Sequence, residues 1–102
     1  MPLALDIDRE RLAALCRQYH VATLELFGSR AKGTARPDSD VDLLVTFEEG
    51  QTPGLDFFGL ALDLEALLGH PVDLLTRPRV ERDHNPYFKQ SVLSAAELLY
   101  AA

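Results

Sequence analysis

Apolar residues recur along this chain at two spacings, one typical of helices and one typical of strands. At helical spacing, Leu12, Leu15, Cys16 and Tyr19 follow one another, and similar stripes occur twice more. The pattern predicts three helices, over about 9–19, 54–68 and 86–100. Residues that favour helix ends stand at the boundaries of these helices. Asp8 and Asn85 can act as N-caps, Pro53 and Pro86 suit a first turn, and Gly69 suits the C-terminal end of a helix.

Three further segments have the composition of strands. Segment 21–27 alternates imperfectly between polar and apolar residues, and segment 70–76 holds a short apolar run. Segment 40–47 is more continuously apolar, which predicts a central position in a sheet. The polar stretch 77–83 shows no clear pattern.

The order of these elements, helix, strand, strand, helix, strand, helix, predicts an α/β domain. We expect a small mixed β-sheet of three or more strands flanked by helices, in a single domain over residues 1–102. Because a whole helix separates the second and third strands, those two can pair in parallel through a right-handed crossover. The short segment 28–39 favours antiparallel pairing of the first two strands.

Composition narrows the classes of function. Of 102 residues, 47% are hydrophobic and 25% charged, which is ordinary for a globular domain. The net charge of −6 argues against binding of long nucleic acids, although a nucleotide neutralised by metal ions remains compatible. The N-terminus lacks the features of a signal peptide, and no apolar run approaches membrane-spanning length. With Cys16 as the single cysteine, we expect a cytoplasmic protein without membrane contact.

The most informative motif joins a glycine-serine bend to a pair of carboxylates. Gly28 and Ser29 interrupt the first strand, and after ten further residues Asp40 and Asp42 open the second. Residues two apart in a strand point to the same face. Two carboxylates about 5 Å apart repel by ~3 kcal/mol at an effective dielectric constant of ~20, so the pair calls for a cation. Mg²⁺ prefers such oxygen ligands and keeps positions open for substrate phosphates.

A third carboxylate, Asp73, lies within an apolar strand, where an acidic residue is unusual. If that strand pairs with the second one, Asp73 can reach the face that carries Asp40 and Asp42. Three carboxylates around two Mg²⁺ ions form the clamp used for in-line displacement at phosphorus. Asp73 would then accept the proton of the attacking hydroxyl.

The bend itself can hold the phosphates of a nucleoside triphosphate. Free backbone N–H groups around residues 28–30, together with the Ser29 hydroxyl, can bind the β- and γ-phosphates. Arg30 or Lys32 could add positive charge against the leaving pyrophosphate.

At these residues the chain resembles the polymerase-beta-like nucleotidyltransferase superfamily, and within it the minimal nucleotidyltransferase antitoxins. The family pattern of Gly-Ser, ten residues, Asp-x-Asp and a later acidic residue is matched by Gly28, Ser29, Asp40, Asp42 and Asp73. Lys32 stands where the family usually has arginine, and a lysine ammonium does not bind phosphate in the bidentate manner of a guanidinium. The resemblance implies Mg²⁺-dependent transfer of AMP from ATP to a tyrosine of a partner toxin of the HEPN ribonuclease class.

Two rival motifs fail on single residues. Gly28 and Gly33 have the glycine spacing of a P-loop, but Thr34 follows where lysine is required. The acidic residues from Asp38 onward match part of an EF-hand loop, but Leu43 occupies the position that requires glycine. The three histidines lack metal-ligand spacing, and Cys16 is expected in the core.

Two other functions remain open at this stage. The domain could be a non-catalytic module that neutralises its partner toxin by contact. Less favoured is a nucleotidyltransferase acting on a small molecule, because such enzymes need a further domain to enclose the acceptor.

Overall fold

The computed structural model describes residues 7–28, 40–50 and 54–102, which contain both helices and strands. The helices are α1 (Arg9–Gln18), α2 (Asp56–Leu68), α3 (Arg77–Glu81) and α4 (Pro86–Ala95). The strands are β1 (Val21–Phe27), β2 (Val41–Phe47), β3 (Val72–Thr76) and β4 (Glu97–Ala101).

The four strands form one mixed sheet in the order β3-β2-β1-β4. Strand β2 pairs in parallel with β3 and antiparallel with β1, and β4 pairs antiparallel with the other edge of β1. The α/β class, the mixed sheet and both predicted strand pairings are confirmed. The crossover helix α2 supplies the length of chain that a parallel pair needs.

Helix boundaries follow the local signals at most ends. The Asp8 side chain accepts a hydrogen bond from the Arg11 amide at 3.1 Å, and Asn85 accepts from the amides of Tyr87 and Phe88. Gly69 ends α2 in the left-handed conformation, with φ of 73°. Helix α2 begins at Asp56 rather than 54, and the predicted Pro53 start lies outside the described residues.

The predicted last helix, 86–100, is wrong in its last third. Helix α4 ends at Ala95, Ala96 is extended, and β4 follows. The composition of 96–100 favours a helix, but the open edge of β1 offers backbone hydrogen-bonding partners and Leu99 enters the core. The Arg9 guanidinium also donates to the Leu99 carbonyl oxygen at 2.8 Å, which ties β4 to α1. The polar stretch 77–83 contains the short helix α3.

Helices cover both faces of the sheet. Buried residues of α1 and α2 pack on one face, in a cluster that includes Leu12, Leu60, Leu24 and Leu43. On the opposite face α3 and α4 contribute Val80 and Val92, which join the following sheet residues: Phe27, Leu44 and, partly buried, Leu75. The second face is the one that carries the acidic residues, because Asp42 precedes Leu44 by two positions.

Candidate active site

The parallel pairing of β2 and β3 sets two of the predicted acidic residues side by side. Asp42 and Asp73 are direct register partners, and neighbouring strands lie about 4.8 Å apart. Asp40 stands immediately before β2, two residues ahead of Asp42 on the same face. The structure therefore brings Asp40, Asp42 and Asp73 together at the end of the sheet where β2 and β3 begin.

The surroundings of Asp42 disfavour its charged form. The pKa of Asp42 is raised, first by burial and then by the negative charges of Asp73 and Asp40. Asp40 and Asp73 are both exposed. A cation near Asp42 would therefore relieve repulsion that the fold itself creates.

Gly28 approaches Asp42 from the neighbouring strand. Phe27, the last residue of β1, is the register partner of Asp42, and Gly28 follows it with φ of 76°. A Cβ atom on Gly28 would collide with the Asp42 carboxylate and lie 3.0 Å from its Cγ. Only glycine fits both this left-handed backbone and this close approach. The chain turn after β1 is thus in contact with the acidic group.

Three predicted phosphate-binding residues, Ser29, Arg30 and Lys32, lie outside the described residues. Their assignment stays a prediction. Of the predicted bend, the structure describes Gly28, and Gly28 lies beside Asp42.

The three aspartates offer carboxylate oxygens, which are ligands that Mg²⁺ prefers. Within 7–28, 40–50 and 54–102, no group of three or more His, Cys, Asp or Glu side chains is arranged to hold a metal ion by itself. Mg²⁺ is commonly held by one or two carboxylates, with substrate phosphates and water filling the other positions. Asp42, with its unfavourable negative surroundings, and its neighbours Asp40 and Asp73 would be those ligands.

An ion pair lies on the same face and was missed by sequence reasoning. The Arg77 guanidinium, just after β3, donates to the Glu25 carboxylate of β1 at 2.7 Å. Glu25 is opposite Leu44, one same-face position along the sheet from Asp42. The only signal in the sequence was an acidic residue within an apolar strand. The pair spans β2 and neutralises charge beside the acidic group.

Cys16 lies in the core on the opposite face of the sheet, with no exposed surface. Burial raises the pKa of its thiol to about 11, although the charge of Arg17 partly opposes this. The thiol is therefore protonated near neutral pH and unsuited to be a nucleophile.

Comparison with known proteins points to one family. The model of the family described as "Nucleotidyltransferase domain" matches residues 9–99. A Methanocaldococcus jannaschii protein named "Putative protein adenylyltransferase MJ1379" is 38% identical over 88 residues, which cover 85% of each chain. "Protein adenylyltransferase MntA" of Thermococcus cleftensis is 47% identical over 64 residues, which cover 62% of this chain and 63% of that one.

Two solved structures share the fold. One, described as "Structure of putative minimal nucleotidyltransferase", has a TM-score of 0.67 and 43% identity, and the match covers 87% of this chain and 86% of that chain. The other is the tri-AMPylated Shewanella oneidensis HEPN toxin in complex with MNT antitoxin. It has a TM-score of 0.59 and 21% identity, and the match covers 92% of this chain and 70% of that chain.

Proposed function

The chain belongs to the nucleotidyltransferase domain family, and on that premise we propose that it transfers AMP from ATP to a tyrosine hydroxyl of a HEPN-type toxin, as that toxin's antitoxin. The observation that carries the proposal is the register of Asp42 with Asp73, beside the bend at Gly28. This arrangement sets the acidic residues next to the turn expected to hold a triphosphate.

The three aspartates have separate roles in the proposed reaction. Asp40 and Asp42 would hold Mg²⁺, of which we expect two ions, and Asp73 would complete the set of ligands. Bound Mg²⁺ would neutralise the triphosphate and lower the pKa of the attacking hydroxyl. Asp73 accepts the proton of that hydroxyl. The tyrosine oxygen forms a bond to the α-phosphorus, the bond from that phosphorus to the bridging oxygen breaks, and pyrophosphate leaves.

The bend after β1 receives the pyrophosphate portion of the nucleotide. The backbone at Gly28 can approach the phosphates closely, because it has no side chain. We assign the Ser29 hydroxyl and the charges of Arg30 and Lys32 to the β- and γ-phosphates on the sequence motif. These four residues form the proposed nucleotide-binding part of the site.

The choice of acceptor rests on the related proteins. Two relatives are named as protein adenylyltransferases, and the Shewanella oneidensis complex joins an AMPylated HEPN toxin to MNT antitoxin. These names support a protein acceptor, an adenine nucleotide and a toxin partner for this chain. Tyrosine as the accepting residue comes from the family resemblance.

We place the reaction in the cytoplasm, where ATP, Mg²⁺ and reduced thiols are available. Cys16 is a free, buried cysteine, which is compatible with that compartment. No helix within the described part of the chain is both long and apolar enough to cross a membrane.

The proposal is tested by intact-mass analysis of the partner toxin after incubation with this protein, ATP and Mg²⁺. We expect the toxin to gain one or more AMP units with the wild type and none with Asp42→Asn. The matched control is Asp56→Asn, the same chemical change at an exposed residue of α2 on the opposite side of the sheet. Transfer by Asp42→Asn at the wild-type rate would refute the assignment.

A second measurement separates catalysis from neutralisation by contact. Growth of cells that express the toxin is followed with the wild type and with the triple variant Asp40→Asn, Asp42→Asn, Asp73→Asn. Protection that depends on the aspartates supports the enzymatic proposal. Full protection by the triple variant would instead assign the protein as a non-catalytic binding module.

A further inference from the structure

The order of strands restricts the direction from which an acceptor can approach. In an in-line displacement, the attacking and leaving oxygens lie on opposite sides of the phosphorus. Gly28, where the pyrophosphate is proposed to lie, follows β1, and Asp73, the proposed base, lies on β3. Strand β2 lies between them with Asp42. The acceptor hydroxyl must therefore arrive from the side of β3.

A cavity of about 150 Å³ opens on that side of the sheet, between β3, α3 and α4. Its wall includes Leu75, which follows Asp73 by two positions and so lies on the same face of β3. Among the described residues, the lining consists of Leu75, Arg79, Val80, Asp83 and Phe88. The cavity thus lies on the face that carries the proposed base, one same-face position along β3 from Asp73.

The volume of the cavity indicates what kind of group it can hold. Pockets that enclose whole small molecules or cofactors usually measure about 300–1,000 Å³. A volume of about 150 Å³ is half of the lower limit, so it suits one bulky side chain rather than a nucleoside. Leu75, Val80 and Phe88 give the cavity apolar walls, and Arg79 and Asp83 give it charged ones. Phe88 is 38% exposed and forms an accessible wall.

The charge around the cavity differs from that of the two acidic segments that precede it in the chain. Residues 77–89 contain four Lys or Arg and two Asp or Glu, whereas segments 40–50 and 54–76 together contain eight acidic residues and no Lys or Arg. Arg77 is bound to Glu25, and the Lys89 ammonium donates to the Glu81 carbonyl oxygen at 2.9 Å. Arg79 is exposed at the cavity. The exposed Arg79 guanidinium can attract a carboxylate, although Asp83 lines the same cavity.

We propose that this cavity, called here the β3–α3–α4 cavity, is the docking site for the acceptor protein. It takes a bulky apolar side chain near the modified hydroxyl, and Arg79 binds a carboxylate of the same acceptor segment. The inference rests on the proposed function, since the direction of approach follows from the roles of Gly28 and Asp73. Docking here would direct the acceptor hydroxyl toward Asp73.

The test compares two cavity variants with two neighbours that do not line the cavity. Phe88→Ala removes an apolar wall, and Arg79→Glu reverses the charge of a lining residue. Their matched controls are Tyr87→Ala, at an aromatic residue that is 83% exposed, and Arg82→Glu, at an exposed arginine. Thermal unfolding of each variant verifies that the fold is intact. Binding of the toxin is measured by calorimetry without ATP, and transfer of AMP by steady-state kinetics.

We expect both cavity variants to raise the Kd and the KM for the toxin about tenfold. The KM for ATP and the kcat at saturating toxin should stay within about twofold of the wild type, as should every constant of the two controls. Unchanged toxin Kd and KM in both cavity variants would overturn the inference, as would a raised KM for ATP alone. If the wild type transfers no AMP, the proposed function fails, and the calorimetric arm still decides whether the cavity binds the toxin.

Discussion

Replacement of Gly28 by alanine tests the contact between the bend and the acidic group. A Cβ atom at this position would overlap the Asp42 carboxylate, at 3.0 Å from Cγ and 3.2 Å from Cβ of Asp42. The backbone at Gly28 also has φ of 76°, in the left-handed region. Gly28→Ala therefore introduces a conformational cost and a steric one, and the two can be separated.

The conformational cost of the left-handed backbone is about 1–2 kcal/mol for an alanine. Because carbon atoms normally approach to about 3.5–4.0 Å, the Asp42 side chain must also shift by roughly 0.5–1 Å. Overpacking of this kind costs about 1–3 kcal/mol. The sum of about 2–5 kcal/mol corresponds to a fall in Tm of at least about 8 °C for a domain of this size.

Gly50→Ala is the matched control for the conformational cost alone. Gly50 has φ of 81°, and a Cβ atom there would have no atom of the described residues within 4 Å. Urea denaturation of both variants gives their free energies of unfolding, and the difference between them isolates the overlap with Asp42. Transfer of AMP should fall about 100-fold in Gly28→Ala, since a misplacement of about 1 Å in a catalytic group has that effect. Gly50→Ala should keep the wild-type rate.

A double-mutant cycle identifies Asp42 as the partner in this overlap. In an Asp42→Ala background the carboxylate is absent, so Gly28→Ala should lose only as much stability as Gly50→Ala does. Equal losses for Gly28→Ala and Gly50→Ala in the wild-type background would refute the close approach. An unchanged effect of Gly28→Ala in the Asp42→Ala background would show that another group is in contact.

Two further predictions concern charge and the fourth strand. Asp42→Asn should stabilise the protein in EDTA at pH 7. The pKa of Asp42 is raised in the folded state, so its carboxyl group contributes fully to stability below the ordinary pKa of 3.8. That contribution is lost as pH rises through the folded-state pKa, and the asparagine does not lose it. The gain in Tm should shrink as pH falls toward 4, and a less stable variant at pH 7 would contradict the reasoning. Leu99→Ala should lower the free energy of unfolding by about 2–4 kcal/mol, because Leu99 is 7% exposed, whereas Leu98→Ala, at a residue 57% exposed, should change it by under about 1 kcal/mol. Equal losses at the two positions in urea denaturation would contradict the alternation of β4.

Much of the candidate site could be predicted because its signals are local. The spacing of Asp40 and Asp42 places both on one face of a strand whatever the rest of the fold does. Asp73 was marked by its apolar neighbours, and its pairing with Asp42 required only that β3 lie beside β2 in register. The parallel pairing itself followed from the length of chain between the two strands.

The contacts that surround those residues could not be predicted, because they join distant parts of the chain. The Arg77–Glu25 ion pair links residues 52 positions apart and depends on β2 lying between β1 and β3. The approach of Gly28 to Asp42 depends on the antiparallel register of β1 with β2. Nothing in the local sequence reports either distance.

The sequence by itself determined the α/β class, the first three strands, the starts of α1 and α4, and the acidic motif, since caps and hydrophobic periodicity act within a few residues. Only the tertiary structure decided that residues 97–101 form a strand rather than the end of a helix. Their composition of Glu, Leu, Tyr and Ala is compatible with a helix. Pairing with the open edge of β1 and burial of Leu99 in the core stabilise the strand. Together these two contributions exceed the small local preference for a helix.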